Sequence, residues 1–207
     1  MRLLVLAKEP VPGRVKTRLT PPFSPVQAAA LAAAALADTL TAVNAVPGVQ
    51  PLLVLDGLPG PWLPPGLPWV PQAAGGLDER LGAAFDMCAG EPALVVGMDT
   101  PQLTTDLLSA AVAGTRQGAA LGLAADGGWW ALGLARADGA LLRGIPTSRS
   151  DTGYRQRRRL HEAGLTVLDL PVLCDVDTAV DAWTVAEKCP ATAFARLLRD
   201  FDQAGAA

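Results

Sequence analysis

The stretch ALVVGMDTPQL at residues 93–103 joins a short apolar run to a single carboxylate. The run does not alternate with polar residues, which is typical of a strand buried on both faces. A proline two positions after Asp99 cannot continue a sheet ladder, so the strand should end near Asp99. In open α/β sheets, ligands bind in the crevice beyond the carboxyl ends of the strands. We therefore expect the Asp99 carboxylate to point into a ligand site.

The chemical role of Asp99 has two interpretations. A hard anionic oxygen in that crevice suits Mg²⁺ or Mn²⁺ bound together with phosphates. Alternatively, Asp99 caps the helix that begins near Leu103. Thr104 and Thr105 lie closer to the start of that helix and are common cap residues, so the pattern favours the metal site.

Strand and helix patterns alternate along the whole chain. Apolar runs predict strands at residues 3–7, 52–55, 93–98, 119–125, 129–134 and 165–170. Helical patterns cover residues 25–44, 77–89, 104–113, 137–142 and 154–163, and further helices finish the chain. The alternation predicts a single α/β domain over residues 1–207, with a mostly parallel sheet covered on both faces. A hairpin-like pair within residues 119–134 predicts one antiparallel member.

The composition limits the possible classes of function. The chain has 207 residues and a formal net charge of −3, which argues against a nucleic-acid partner. Its apolar residues are largely alanine, so we expect a core of small side chains. The three cysteines are widely spaced and match neither a disulfide framework nor a zinc site. The first apolar run, LLVLA, is too short for a signal peptide or a membrane span. We therefore expect a cytoplasmic protein with reduced thiols and no membrane partner.

A proline-rich loop with several cations follows the first strand. Residues 8–25 read KEPVPGRVKTRLTPPFSP, and proline at this density excludes helix and sheet interior. The loop lacks the GxxxxGK[ST] pattern of a Walker A loop. Cations beside a glycine at the ligand end of a sheet can still hold a polyphosphate. The alternative is a solvated basic surface loop. The nucleotide-binding candidates are Lys8, Gly13, Arg14, Lys16 and Arg18.

Two physical expectations follow for this loop. We expect it to be mobile without ligand and ordered with ligand, because of its length, its prolines and its cations. We also expect Lys16 and Arg18 to be exposed. Replacing either with alanine should then change stability by no more than about 0.5 kcal/mol.

A second pair of carboxylates, Asp175 and Asp177, stands near the end of the chain. Residues two apart share a face in an extended segment, so one or both can meet Asp99 across a metal ion. The alternative is that Asp177 caps the helix that begins near Ala179. Both roles can hold together, with either aspartate as the metal ligand and the other as the cap.

The turn DGGWW at residues 126–130 is a candidate acceptor site. Two glycines before aromatic residues allow a tight turn with open backbone groups, on which a sugar or another small acceptor can lie. The alternative is a plain hairpin turn followed by two core tryptophans. The acceptor-binding candidates are Gly127, Gly128 and Trp129.

The stretch GGLDERL at residues 75–81 has the pattern of an ordinary helix start, with acidic residues in the first turn. A basic residue at this position can nevertheless reach a nucleotide base or a phosphate. Gly76 and Arg80 therefore remain candidates for nucleotide binding.

Five motifs occur in an order that resembles one bacterial family. They are AKEPVPGRVKTRL at 7–19, GGLDERLGAAF at 75–85, VVGMDTPQL at 95–103, DGGWWALGL at 126–134 and DVDTAVD at 175–181. Over nearly its whole length the chain resembles the uncharacterised bacterial transferase family of GT-A-type fold, within the nucleotide-diphospho-sugar transferase superfamily. The N-terminal loop is also similar to that of 2-phospho-L-lactate guanylyltransferases and molybdenum-cofactor guanylyltransferases.

The resemblance implies a GT-A or Rossmann-like three-layer sandwich and gives individual residues roles. It implies that Lys16 and Arg18 contact the phosphates of a nucleotide. It also implies that Asp99 holds Mg²⁺ or Mn²⁺, with Asp175 or Asp177 as the second ligand. Asp99 and Lys16 are accordingly the candidate catalytic residues.

The chain departs from the family pattern at three places. Trp129 stands where relatives carry tyrosine, residues 146–150 replace a Trp-Ser-Thr segment, and Asp99 lacks the DxD partner of many glycosyltransferases. We expect a metal-dependent transferase that uses a nucleoside triphosphate, as a nucleotidyltransferase, or a nucleotide-sugar, as a glycosyltransferase, with a small-molecule acceptor. The cation-rich loop favours the triphosphate. The alternative is a non-catalytic nucleotide-binding regulatory or scaffold protein of the same fold.

Overall fold

The computed structural model describes residues 1–88 and 90–206, with side chains described as far as Ala204. Its strands are β1 (Arg2–Lys8), β2 (Gln50–Asp56), β3 (Trp69–Pro71), β4 (Ala93–Val96), β5 (Ala119–Ala124), β6 (Trp129–Leu134) and β7 (Val167–Leu173). Its α-helices are α1 (Pro25–Asn44), α2 (Leu77–Asp86), α3 (Thr105–Arg116), α4 (Thr152–Glu162), α5 (Ala179–Lys188) and α6 (Ala193–Ala206). Thr17–Leu19 and Gly139–Leu141 form 3₁₀ helices.

The strands form one sheet in the order β3-β2-β1-β4-β6-β5-β7. Only β6, among the described strands, runs antiparallel to its neighbours. The predicted sheet, mostly parallel with one antiparallel member, is therefore confirmed. Because β1 and β4 are parallel neighbours, their carboxyl ends lie side by side. This pairing brings the loop after β1 next to Asp99.

Helices cover both faces of the sheet, as the sequence predicts. Alanine-rich α1 packs on one face together with α3. Leu81 and Phe85 of α2 pack on the other face with Leu160 of α4. Helices α5 and α6 form an outer cluster against α1. The three-layer arrangement is confirmed, whereas the extent of the domain over residues 1–207 stays a prediction.

Helix α1 is the one described helix that is long and apolar enough to cross a membrane. It begins with a capping box, in which Ser24 accepts a hydrogen bond from the Gln27 N–H and Gln27 reaches back to the Ser24 N–H. About half of its most apolar window, 50%, is buried inside the protein, and its alanines pack against the sheet. These contacts are typical of a core helix. The predicted cytoplasmic location stays a prediction.

The sheet edges differ from the sequence-based prediction. Strand β3 lies in the proline-rich segment that follows β2, and the predicted strand 165–170 extends to Leu173 in spite of Pro171. Both β3 and β7 lie at sheet edges, where the missing N–H of a proline costs little. Trp69 of β3 is 37% exposed, whereas Trp62 packs partly buried against the core.

Three further boundaries differ from the expectation. Helix α2 ends at Asp86 with Met87 as its C-terminal cap, and the predicted last residue, Ala89, lies outside the described residues. The predicted helix at 137–142 is only a 3₁₀ helix. Residues 13–20 of the N-terminal loop contain no proline, and within this stretch Thr17–Leu19 form a 3₁₀ helix. The cysteines within the described residues are free thiols.

Candidate functional site

Asp99 follows strand β4 and is not a helix cap. The cap of α3 is Thr104, whose hydroxyl accepts a hydrogen bond from the Leu107 N–H at 3.2 Å. The Asp99 side chain is 37% exposed and lines a cleft at the carboxyl ends of β1 and β4. The capping alternative is therefore excluded, and the carboxylate is available to a ligand.

Lys16 lies between two of the predicted metal ligands. Its Nζ is 2.8 Å from Asp99 Oδ1 and 3.0 Å from Asp177 Oδ1, and its side chain is only 10% exposed. Burial alone would lower the pKa of Lys16, but the attraction of Asp99 and Asp177 outweighs burial and raises the pKa above its ordinary value. The expectation of an exposed lysine is wrong, because the loop folds back over the carboxylates.

The loop around Lys16 is anchored at several points. Val15, Leu19 and Phe23 are buried, and the Leu19 N–H donates to the Lys16 carbonyl at 2.9 Å. Lys16 itself has a left-handed backbone, with φ of 47°. A non-glycine residue rarely adopts this conformation unless the surrounding structure holds it. The mobility expected for residues 8–25 stays a prediction, and it applies best to the exposed part of the loop.

Asp175 and Asp177 reach the same cleft. Asp177 is not a helix cap, because Thr178 caps α5 and accepts a hydrogen bond from the Asp181 N–H at 3.3 Å. Asp175 Oδ1 is buried and has no hydrogen-bond donor among the described residues. Burial, followed by the carboxylates of Asp99 and Asp126, raises the pKa of Asp175 to about 7. The Asp175 carboxylate therefore lacks a compensating partner.

The donor set fits a hard divalent cation in part. Carboxylate oxygens are the ligands that Mg²⁺ and Mn²⁺ prefer, and the uncompensated oxygen of Asp175 would gain from a cation. In the described part of the chain, however, no three acidic, histidine or cysteine side chains are gathered as a ready metal cluster. The Lys16 ammonium instead bridges Asp99 and Asp177. The residues that would hold a metal are thus Asp99 with Asp175 or Asp177, once Lys16 has moved.

The cleft has a volume of about 470 Å³ and collects most of the predicted site residues. The predicted nucleotide-binding cations that line it are Lys8, Arg14, Lys16, Arg18 and Arg80. The predicted metal ligands and acceptor residues that line it are Asp99, Asp175, Asp177, Gly128 and Trp129. Cations from the β1 loop and carboxylates from two strand ends therefore face one cavity, which suits a phosphorylated ligand bound with a cation.

Three predicted glycines do not line the cleft. Gly13 lies at an exposed turn, and Gly76 is the N-terminal cap of α2. Gly127 has φ of 90°, and a Cβ at this position would clash with the backbone of Ser150. Gly127 therefore allows close backbone packing against Ser150. The ligand contacts predicted for these three glycines stay predictions.

Arg80 belongs to a polar network at the floor of the cleft. Its Nη1 donates to Asp56 Oδ2 at 3.2 Å and to Gln72 Oε1 at 3.0 Å. Gln72, which sequence reasoning missed, also donates from Nε2 to the carbonyls of Ala7 and Val54 at 2.7 and 3.1 Å. The network joins the ends of β1 and β2. No sequence pattern around Gln72 indicates this role, because its partners come from distant segments.

The two neighbouring tryptophans have different environments. Trp130 is a core residue, 2% exposed, and its Nε1 donates to the Pro171 carbonyl at 3.0 Å. Trp129 is half-buried and lines the cleft. Alternation along β6 explains the difference, since successive side chains point to opposite faces of the sheet. The core interpretation describes Trp130, although Trp130 also borders the cleft, whereas the acceptor role of Trp129 stays a prediction.

Sequence reasoning also missed the wall opposite the β1 loop. Thr147, Ser148 and Arg149 line the cleft there, together with Asp126. The Thr152 hydroxyl holds this segment by donating to the Pro146 carbonyl at 2.9 Å and accepting from the Arg149 N–H at 3.2 Å. The Gly153 N–H donates to the Gly127 carbonyl at 2.8 Å. The segment and the 126–128 turn thus form one wall.

Comparison with known proteins agrees with this architecture. No curated protein matches the sequence significantly. A crystal structure from Desulfovibrio desulfuricans G20, provisionally described as a nucleotide-diphospho-sugar transferase, superposes with a TM-score of 0.87 at 25% identity. The match covers 98% of this chain and 96% of that one. The predicted resemblance to the nucleotide-diphospho-sugar transferase superfamily is confirmed, as is the broad class of a transferase.

Two further solved structures share the fold at lower identity. The 2-C-methyl-D-erythritol 4-phosphate cytidylyltransferase of Thermus thermophilus has a TM-score of 0.52 at 18% identity, over 89% of this chain and 97% of that one. CMP:2-keto-3-deoxy-manno-octonic acid synthetase, solved with CTP, has a TM-score of 0.52 at 13% identity, over 90% and 98%. These two likenesses support the fold alone.

The matching family model covers the centre of the chain. It spans residues 28–149, which include β4, Asp99 and the 126–128 turn, and is described as "uncharacterized protein conserved in bacteria (DUF2064)". The match covers more than half of the 207 residues. The chain therefore belongs to the DUF2064 family.

Proposed function

We propose that the protein is a metal-dependent nucleotidyltransferase, which transfers a nucleotidyl group from a nucleoside triphosphate to a small acceptor. One observation carries the proposal. Cations from the loop after β1 and the carboxylates of Asp99, Asp175 and Asp177 line a single cleft. A triphosphate bound with a divalent cation complements both sets of charges.

The cations of this loop support a triphosphate over a nucleotide-sugar. Lys8, Arg14 and Arg18 are exposed, and no described acid lies nearer to the Arg18 guanidinium than Asp177 Oδ2, at 4.0 Å. These side chains are free to contact phosphate oxygens, as arginine does in bidentate fashion. Arg80 lines the same cleft and uses only its Nη1 in the described hydrogen bonds, so Nη2 remains for the nucleotide base.

The chain can supply position and charge for the chemistry. An oxygen of the acceptor attacks the α-phosphorus, the bond from that phosphorus to the bridging oxygen breaks, and pyrophosphate leaves with the bonding electrons. Lys16 and Arg18 neutralise the charge that develops on the leaving group. Asp99, with Asp175 or Asp177, holds Mg²⁺ or Mn²⁺. The cation, when bound, supplies further charge neutralisation at the phosphates. No protein nucleophile is required.

The wall opposite the cations supports an anionic acceptor. Gly128 and Trp129 offer a backbone surface and an aromatic ring, and Arg149 adds a guanidinium that is 61% exposed. Only the Nε of Arg149 is engaged in a described ion pair, with Asp151 Oδ1 at 3.3 Å. Its remaining donors, beside the hydroxyls of Thr147 and Ser148, suit a phosphate or carboxylate group of the acceptor.

A ligand screen followed by product analysis tests the proposal. Nucleoside triphosphates and nucleotide-sugars are screened by thermal shift with Mg²⁺ or Mn²⁺. A ligand at about a hundred times its dissociation constant should stabilise the fold by roughly 2.7 kcal/mol. Release of pyrophosphate on addition of acceptors supports nucleotidyl transfer, whereas nucleoside diphosphate indicates glycosyl transfer. Tight binding without either product indicates the regulatory or scaffold alternative.

A further inference from the structure

The Lys16 ammonium contacts carboxylate oxygens of two of the residues that would bind the proposed metal ion. Its ammonium is within 3.0 Å of one oxygen of Asp99 and one of Asp177, and its side chain is 10% exposed. Asp99 and Asp177 themselves are 37% and 40% exposed at the side chain, so the cleft can still reach both. The lysine thus occupies the position of a cation between these carboxylates.

The loop fixes this position. The left-handed backbone of Lys16 and the buried side chains of Val15 and Leu19 direct its stem inward. Lys8 is a useful contrast, because it lines the same cleft, is exposed and has no ion pair with a described residue. A general attraction of lysine to an acidic cleft therefore does not explain the contact of Lys16.

An ammonium between Asp99 and Asp177 weakens their binding of a divalent cation. Lys16 contacts Oδ1 of each aspartate, and like charges at this separation repel strongly in a partly buried site, whichever oxygens the metal ion uses. Asp99 and Asp177 therefore bind a divalent cation only weakly while Lys16 stays between them. Lysine has a flexible four-carbon stem, and phosphate oxygens in the same cleft would give its ammonium an alternative partner.

We propose that Lys16 is a built-in counter-ion that keeps Asp99 and Asp177 from binding a divalent cation until a polyphosphate draws its ammonium away. This inference rests on the metal site of the proposed function. Because of this counter-ion, the protein should bind the metal ion weakly on its own and more tightly when a triphosphate is bound. Lys16 then moves from the carboxylates to the phosphates, and the same residue controls loading and binds the substrate.

Binding of Mn²⁺ alone tests the counter-ion role. Titration calorimetry or electron paramagnetic resonance is applied to the parent, to Lys16→Met and to the matched control Lys8→Met. Lys16→Met keeps the aliphatic stem and removes the charge, so it should bind Mn²⁺ at least tenfold more tightly than the parent. Lys8→Met changes the charge of the cleft equally and should bind Mn²⁺ as the parent does. Equal affinity of the parent and Lys16→Met would overturn the inference, as would an equal gain in Lys8→Met.

A second variant and a measurement on the parent test the inference even if Lys16→Met does not fold. Lys16→Gln is titrated in the same way, and circular dichroism checks that each variant is folded. In the parent, saturating Mn²⁺ should increase the acetylation rate of Lys16, read by mass spectrometry, and leave that of Lys8 unchanged. An unchanged Lys16 rate contradicts the inference.

Failure of the proposed function gives a different pattern. If the parent binds Mn²⁺ as tightly as the Lys16 variants do, the metal site stands and only the counter-ion role is wrong. If no variant takes up Mn²⁺, even with inorganic tripolyphosphate, the metal site and the counter-ion role are both wrong.

Discussion

The backbone N–H of Val176 donates a hydrogen bond to the carbonyl oxygen of Asp99 at 2.9 Å. This bond ties the segment after the edge strand β7 to the end of the central strand β4. Val176 is buried, and the Asp177 N–H donates to the Asp175 carbonyl at 3.1 Å, which closes a tight turn around it. The backbone therefore brings the carboxylates of Asp175 and Asp177 to Asp99, in a turn and not in the extended segment that the spacing predicts.

Asp99→Asn should abolish the metal-dependent part of nucleotide binding. The substitution keeps size and shape but removes the charge that a divalent cation needs. Nucleotide affinity with Mg²⁺ should fall at least tenfold, or about 1.4 kcal/mol, to the value measured with chelator. Stability should change by less than about 1 kcal/mol, because the amide oxygen still accepts from Lys16 and the pair is partly exposed. Isothermal titration with metal and with chelator measures the difference. Equal metal-dependent binding by both proteins would remove Asp99 from the site.

Lys16 and Arg18 should differ sharply in their effect on stability. Lys16→Met leaves two partly buried carboxylates without their cation, which should cost on the order of 2 kcal/mol. Arg18→Met removes an exposed side chain and should cost no more than about 0.5 kcal/mol. Urea unfolding in the presence of chelator measures both changes. Equal stability of the two variants would mean that the ion pairs of Lys16 with Asp99 and Asp177 contribute nothing to folding.

Asp175 should make the metal-free protein less stable as the pH rises. Its pKa is about 7 in the folded protein, against an ordinary value of 3.8, so the folded state binds more protons than the unfolded state between these values. The contribution of this group to stability is therefore highest below about pH 4, falls as the pH rises from about 4 to about 7, and levels off above pH 7. At about 1.4 kcal/mol per pKa unit, the loss is up to roughly 4 kcal/mol.

Asp175→Asn should remove this dependence and stabilise the protein at pH 8. Unfolding free energies at pH 5 and pH 8, with chelator present, measure the slope for the parent and the variant. The exposed Asp200→Asn is the control and should keep the parent slope. An unchanged slope in Asp175→Asn would show that the pKa of this carboxyl group is not raised by burial and by its neighbours.

The sequence predicts those parts of the fold that depend on local pattern. Buried strands such as β4 appear as apolar runs, and Pro101 marks the end of the strand that positions Asp99. The order of strands in the sheet, and hence which strand ends meet, depends on long-range pairing that no local pattern reports. The grouping of Asp99 with Asp175 and Asp177 was predicted because strand ends share one edge of a parallel sheet.

The missed features depend on contacts between distant segments. Lys16 was expected in solvent because its neighbours in sequence are polar and proline-rich, whereas its environment is set by Asp99 and Asp177. Gln72 likewise acquires its position from distant segments, because its amide donates to the carbonyls of Ala7 and Val54. Composition and spacing cannot report these contacts.

Arg149 should set the affinity for the acceptor and leave nucleotide binding unchanged. It lies in the wall formed by residues 147–152 and the 126–128 turn, opposite the cations of the β1 loop. Its guanidinium, 61% exposed, is free to pair with a phosphate or carboxylate of the acceptor. Arg149→Gln should raise the KM for an anionic acceptor about tenfold or more, which corresponds to the loss of a charge-assisted hydrogen bond of about 1.5–3 kcal/mol.

The matched control for this prediction is Arg158→Gln. Arg158 is 59% exposed, so its exposure is close to that of Arg149, and it pairs with Glu162 along helix α4 without lining the cleft. Pyrophosphate release at varied acceptor concentration gives KM and kcat for each variant, and calorimetry gives nucleotide affinity. Arg149→Gln should raise the acceptor KM and leave the nucleotide affinity at the parent value, whereas Arg158→Gln should change neither. A loss of nucleotide affinity in Arg149→Gln would instead assign this guanidinium to the triphosphate. An unchanged KM would mean that the acceptor is uncharged or binds elsewhere in the cleft.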